Sequence, residues 1–116
     1  MSVAASDLDA SADFYARLIG AERVPAPDFP REVRWLGVGD THLHLFDRQG
    51  DPAPRGHHVG VEVDLDVLIG AYRYAEELEA FDDDIFGGRL IELPGDVIQL
   101  YVRDPDGIQL EFYYAP

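Results

Sequence analysis

Hydrophobic and polar residues alternate along four short stretches of this chain. In 41–46, Leu43 and Leu45 fall on one side, and His42, His44 and Phe46 on the other. In 58–63, Val59, Val61 and Val63 oppose His58, Gly60 and Glu62. Ile98, Leu100 and Val102 oppose Gln99, Tyr101 and Arg103, and Leu110 and Phe112 oppose Gln109, Glu111 and Tyr113. A period of two predicts strands with an aliphatic face and a polar, ionisable face. Two other stretches repeat with helical spacing. Phe14/Leu18 and Tyr15/Ile19 form i,i+4 apolar pairs, and Gly20 is a natural stop. Leu68, Ala71, Tyr72, Ala75 and Leu78 keep the same period, with Gly70 weakening the second helix.

These elements recur in order. Ser2–Val24 and His58–Phe81 each begin with a short apolar or alternating stretch, pass through Asp-Leu-Asp and turn helical. Asp9 and Asp66 are the expected N-caps. Trp35–Phe46 and Gln99–Tyr113 each read as strand, tight turn, strand, with turns at Gly39-Asp40 and at Asp104-Pro105-Asp106-Gly107. Weak extra strands are expected near Arg23–Val24 and Leu90–Leu93. The prediction is an α+β chain of two β-α-β-β-β modules: module one 1–47, a Pro-, Gly- and Asp-rich linker 48–56, and module two 57–116. A half of about 50 residues is too small to be comfortable alone, so the halves are expected to pack together or exchange between chains.

Composition narrows the chemistry. The 116 residues fit one domain, and the apolar fraction of 47% is ordinary. There is no cysteine, so disulfides and thiolate metal sites are excluded, and a transition metal would need His, Asp or Glu. The formal net charge is −14, and all nine basic residues are Arg. Such a surface repels nucleic acid and anionic membranes, and the charge mainly serves solubility. No apolar run reaches the ~20 residues that span a bilayer. No basic-then-apolar signal segment opens the chain, so a cytoplasmic location is expected. The run Asp82-Asp83-Asp84 reads as a solvated loop, since no EF-hand spacing accompanies it.

The aliphatic strand faces must pack under the helices. The opposite face mixes ionisable groups with Phe46, Tyr101 and Tyr113, as a wet concave site would. The competing reading is an exposed sheet face with scattered aromatics. Three residues on that face suit a divalent first-row metal: His44, His58 and Glu111. Two imidazoles and a carboxylate leave positions open for water or substrate. Each has a bland alternative: a lone strand His is more often a surface or hydrogen-bonded His, and Glu111 could be an exposed strand residue. His42 shares His44's face and is the rival ligand or a supporting group, whereas His57 points away from His58. The repeat strengthens the set, because His44 and Glu111 hold matching places in the two hairpins.

Ser6-Asp7-Leu8-Asp9 with Phe14-Tyr15 and Gly20, His58-Val59-Gly60-Val61-Glu62-Val63-Asp64, and Val102-Arg103-Asp104-Pro105-Asp106-Gly107 running into Leu110-Glu111 resemble the vicinal oxygen chelate superfamily. This fold is shared by glyoxalase I, fosfomycin-resistance enzymes, bleomycin-resistance proteins and extradiol dioxygenases. The resemblance covers essentially the whole chain. It implies paired βαβββ modules forming a cupped mixed sheet, with helices on the convex side. It also implies metal ligands on the first and last strands of each module, matching His58 and Glu111 in module two and His44 in module one. The remaining first-strand ligand would fall one residue before Met1 by family spacing, or at Met1 by alignment to the second half. Met1 does not suit the hard metals of the family.

The resemblance implies a metal-dependent enzyme, either a glyoxalase-like lyase/isomerase or an extradiol-type dioxygenase. It would chelate a small oxygen-rich substrate with Fe, Zn, Ni or Mn. Glu62, Tyr101 and Tyr113 are the expected acid–base groups. The alternative is a metal-free binding protein of the bleomycin-resistance type, which the negative charge and aromatics suit. A third reading makes the cup a dimer surface without catalysis. By family analogy a homodimer is expected.

Overall fold

The computed structural model describes residues 1–28, 32–47, 58–82 and 89–116. The expected linker Arg48–Gly56, together with His57, Asp83 and Asp84, lies outside them. The chain divides into two compact units, Met1–Ala53 and Pro54–Pro116. Each holds one helix and one four-stranded mixed sheet, the α+β two-module arrangement that the repeat predicts.

The first unit runs β1 (Ser2–Ala5), α1 (Leu8–Ile19), β2 (Glu22–Val24), β3 (Val33–Val38) and β4 (Thr41–Asp47). The sheet order is β1-β4-β3-β2, with β1 parallel to β4 and the other pairs antiparallel. The second unit runs β5 (His58–Glu62), α2 (Leu65–Leu78), β6 (Leu90–Leu93), β7 (Val97–Arg103) and β8 (Gln109–Tyr114). Its order, β5-β8-β7-β6, repeats the first, again with one parallel pair, β5 with β8. Both weak strands are therefore present, as β2 and β6.

Alternation decides which side chains enter each core. Leu36, Leu43 and Leu45 are fully buried in the first unit, and Leu100, Val102, Leu110 and Phe112 in the second. Each such side chain contributes roughly 1.5–3 kcal/mol of burial. Helix α1 covers its sheet with Ala12, Phe14, Tyr15, Leu18 and Ile19, and Phe14 meets Tyr15 edge-on at 5.4 Å between ring centroids. Helix α2 buries only Leu68, Ala71 and Ala75, while Leu78, expected on the buried stripe, is 46% exposed. The stripe is narrower because Leu78 is the last helical residue, just before the chain leaves through left-handed Glu79 (φ 52°).

The helix starts differ from expectation by two residues. Asp7 and Asp64 are the N-caps, and Asp9 and Asp66 sit in the first turn. Asp7 keeps extended backbone (φ −132°) and its Oδ1 accepts from Ala10 N at 3.0 Å. Asp9 instead accepts from Arg23 and Arg34 at 2.9 and 3.1 Å. In Asp-x-Asp both acids suit a helix start, and the earlier one caps because apolar Leu8 then enters the helix with its side chain buried. Helix α1 ends at Gly20 in the left-handed region (φ 70°), as expected.

Asp82 overturns the reading of a solvated loop. It is 2% exposed. Phe81 bridges Val102, and Asp82 N donates to Tyr101 O at 3.0 Å, so residues 80–82 run along the end of β7 beyond the reach of β6. The buried charge is met by Arg103 Nη2 at 3.2 Å and by Gln109 Nε2 at 2.6 Å. Composition suggested solvent; backbone pairing put the first acid of the run inside.

The cap assignment makes a prediction. Asp7→Ala should lower unfolding free energy in urea by about 1 kcal/mol, because it orphans a helix N–H. Asp64 makes no side-chain cap hydrogen bond, so Asp64→Ala should cost only a few tenths of that amount. Equal losses would contradict the assignment.

Candidate functional site

Within the second unit, Glu62, Tyr101, Glu111 and Tyr113 lie on the sheet face opposite α2. Strand β8 is central, so Glu111 has a neighbour on each side: Gly60 on β5 and Tyr101 on β7. Gln99 Nε2 donates to Glu111 Oε1 at 2.7 Å, and the Tyr101 hydroxyl donates to Gln99 Oε1 at 3.2 Å. On the other flank Gly60 presents no side chain. A Cβ there would lie 3.6 Å from Glu111 Oε2 and 3.7 Å from its carboxyl carbon.

Tyr101 is almost fully buried. Its phenol is pushed above the ordinary value of 10.0, first by burial, then by the negative charge of Glu111 and by hydrogen bonding with it. It therefore stays neutral through the physiological range and acts as a hydrogen-bond donor. Tyr113, half-buried, pairs with Gln99 on one side and Glu62 on the other. Glu62 is exposed at the end of β5. His58 opens β5 as the backbone partner of Gln109, but its side chain is outside the described part of the structure.

Gln109 adds a group that sequence reasoning had only placed on the polar face. It is fully buried, holds Asp82 through Nε2, and its Oε1 has no hydrogen-bond partner among the described residues. Gln99 was likewise placed on that face without a role. The signal for both was present: a glutamine on the same strand face as an ionisable candidate.

Within the first unit, His44 pairs with Trp35 across β3 and with Ser2 across β1. The imidazole stacks on the Trp35 indole at 3.9 Å and 12° between planes, and His42 lies 6.0 Å away and tilted. Nε2 of His44 is buried with no hydrogen-bond partner among the described residues. Leaving such an atom unpaired costs about 1–3 kcal/mol, so it calls for a partner. Burial depresses the His44 pKa below its ordinary 6.5, helped by the N-terminal ammonium and by His42. The ring is therefore neutral at pH 7, as a metal ligand must be. Met1 shares strand parity with buried Val3 and Ala5, opposite Ser2, so it does not lie on the face of His44.

His44 and Glu111 thus have matching surroundings. Each faces an aromatic on its antiparallel neighbour and a small residue on its parallel neighbour. Among the described residues, no group of three or more His, Asp or Glu side chains comes together in ligating reach. Taken unit by unit, the donor types suit a divalent metal: in the first, a neutral imidazole with an orphaned buried nitrogen, and in the second, a carboxylate already held by a neutral donor.

The Tyr101 environment has a measurable consequence. The folded pKa lies above the unfolded one, so this group's contribution to stability is complete below pH 10 and is lost as pH rises through the folded value. Ultraviolet titration should show Tyr101 ionising above the ordinary phenol value of 10.0, and Glu111→Gln should move its midpoint down. An unchanged midpoint in that variant would show that Glu111 does not act on Tyr101.

The comparisons with known proteins agree with this architecture. The family model Glyoxalase/Bleomycin resistance protein/Dioxygenase superfamily matches residues 1–112. A lactoylglutathione lyase from Agrobacterium tumefaciens is 25% identical, with 98% of this chain and 90% of that one covered and a TM-score of 0.69. Oxidase ChaP-H1 is also 25% identical, with 100% and 93% covered and a TM-score of 0.75. A mutant of the fosfomycin resistance protein FosX from Listeria monocytogenes, crystallised with Mn(II) and dihydroxypropylphosphonic acid, is 11% identical. It covers 99% of this chain and 88% of its own, with a TM-score of 0.75, and at that identity it shows the fold alone. No curated protein matches in sequence.

Proposed function

This chain belongs to the glyoxalase/bleomycin resistance protein/dioxygenase superfamily, and from that premise we propose that it is a metal-dependent enzyme acting on a small substrate with neighbouring oxygens. The proposed ligands are His44, His58 and Glu111, and the metal is Fe, Zn, Ni or Mn. The observation that carries the reading is Glu111: an acid on an inner strand, held by the Gln99 amide at 2.7 Å and lying against Gly60, which has no side chain. A carboxylate needed only for solubility would have no use for either feature. The orphaned Nε2 of neutral His44 supports it in the first unit.

A bound divalent metal would supply Lewis acidity, favouring charge on a substrate oxygen. The chain's own residues would do the rest. Glu111 orients, and Gln99 keeps it oriented. Tyr101, held neutral beside it, does not remove a proton; its hydroxyl braces the Gln99 amide that holds Glu111. Glu62, exposed at the strand end, and Tyr113 beside it are the candidates for proton transfer. Lyase/isomerase and dioxygenase chemistry both fit this division of labour.

A second reading is a metal-free binding protein for a cationic or aromatic ligand. The Trp35–His44 stack and the net charge of −14 favour it.

Metal analysis separates the two. Purified protein should carry or take up about one divalent metal per ligand set. His58→Ala and Glu111→Ala should each weaken uptake by roughly 100-fold or more, and uptake should fall as pH drops through the depressed His44 value, which lies below the ordinary imidazole value of 6.5. Protein that binds no Fe, Zn, Ni or Mn at pH 7.5 contradicts the enzyme reading and leaves the binding protein.

A further inference from the structure

We infer that Trp35 is a positioning residue for His44: its indole, stacked on the imidazole, fixes the plane of that ring and stabilises it once it holds a metal. The inference rests on the metal reading above and deepens it within the first unit. Trp35 is not a ligand; it decides how one ligand is presented.

The stack follows from the register. Trp35 on β3 and His44 on β4 are direct cross-strand partners, so their side chains leave one face of the sheet side by side. Their ring centroids lie 3.9 Å apart, with planes 12° from parallel. A ligating histidine is usually held by a hydrogen bond from its second nitrogen to a carboxylate or a carbonyl. Nε2 of His44 has no hydrogen-bond partner among the described residues, and the indole does the orienting instead. Turning the imidazole about its Cβ–Cγ bond would drive a ring edge into the indole face. The nitrogen lone pair lies in the imidazole plane, parallel to the indole, so the stack sets its direction without lying across it.

The contact suits a charged imidazole better than a neutral one. Neutral aromatic pairs favour offset or edge-to-face contacts with centroids about 4.5–7 Å apart, because both faces are electron-rich. Phe14 and Tyr15, in the same unit, meet in that way at 5.4 Å and 84°. Trp35 and His44 are closer and nearly parallel. An imidazole bound to a divalent cation shares its positive charge, and indole is the aromatic face that attracts a cation most strongly. The stack therefore strengthens when His44 takes a metal, and this difference favours the bound form. His42 lies 5.7 Å from Trp35 at 46°, so His44 is the ring of the two that the indole lies flat against.

Zn(II) is the probe. It is colourless and Trp35 is the only tryptophan, so any change in the indole absorption band comes from Trp35. Metal-free wild type, Trp35→Phe, Trp35→Leu and His44→Gln are each titrated calorimetrically, with thermal unfolding of each recorded without metal. The indole band is followed during titration of wild type and His44→Gln. Trp35→Leu should bind Zn(II) about 3–30-fold more weakly than wild type. Trp35→Phe, which keeps an aromatic face, should recover most of that loss. Zn(II) should shift the indole band in wild type and leave it unmoved in His44→Gln. Wild-type affinity in Trp35→Leu, a loss in Trp35→Phe as large as in Trp35→Leu, or an indole band indifferent to bound Zn(II) overturns the positioning role. If Trp35→Leu fails to fold, the indole band decides. Wild type that binds no Zn(II), or His44→Gln that binds it as well as wild type, sinks His44's part in the metal reading itself, and the role of Trp35 with it.

Discussion

The register of β8 between its two neighbours is the constraint on which the second unit depends. Leu110 and Phe112 pair with Val102 and Leu100 on β7, and these four buried side chains form the apolar face under α2. Because side chains alternate, the same register fixes Glu111 on the far face, between Gly60 and Tyr101. A slip by one residue would bury Glu111 and expose Phe112. Core and candidate site are two faces of one decision, enforced by the several kcal/mol that the buried side chains contribute.

The turn and edge around β8 protect that register. Asp104 Oδ1 accepts from Asp106 N and Ile108 N, both at 2.9 Å, and Gly107 takes a left-handed φ of 78°. The Asp-Pro-Asp-Gly run therefore makes a closed turn that delivers β8 at a set offset from β7. Beyond it, Asp82, Arg103 and Gln109 tie residues 80–82 to β7 and β8. A buried carboxylate matched by a guanidinium and an amide adds little net stability, but it penalises any pairing that separates them. The first unit has its own version of this face, where His44 stacks on Trp35.

Much of this was legible in the sequence because period-two alternation and the Asp-Leu-Asp repeat are local signals. Leu43, Leu45, Leu100, Val102, Leu110 and Phe112 all went where alternation put them. The misses needed non-local knowledge. Asp82 looked like solvent because three acids in a row usually are; only its pairing with Tyr101 and Arg103, some twenty residues on, buries it. The helix caps were misplaced because Asp7 and Asp9 both suit a helix start, and the choice rests on which register buries Leu8. Gln99 and Gly60 were seen and passed over. A glutamine or a glycine on a strand carries no chemistry until the side chain beside it is known to be a carboxylate.

The central claim is that Glu111 is presented for a metal rather than for solvent. Crystals soaked in Mn(II), with data collected at the manganese absorption edge, test it most directly. The account predicts an anomalous peak at bonding distance, about 2.2 Å, from a Glu111 carboxylate oxygen, with Gln99 still hydrogen-bonded to Oε1. A Glu111 carboxylate without a peak, while Mn(II) occupies some other group of acids on this strongly acidic chain, would contradict it.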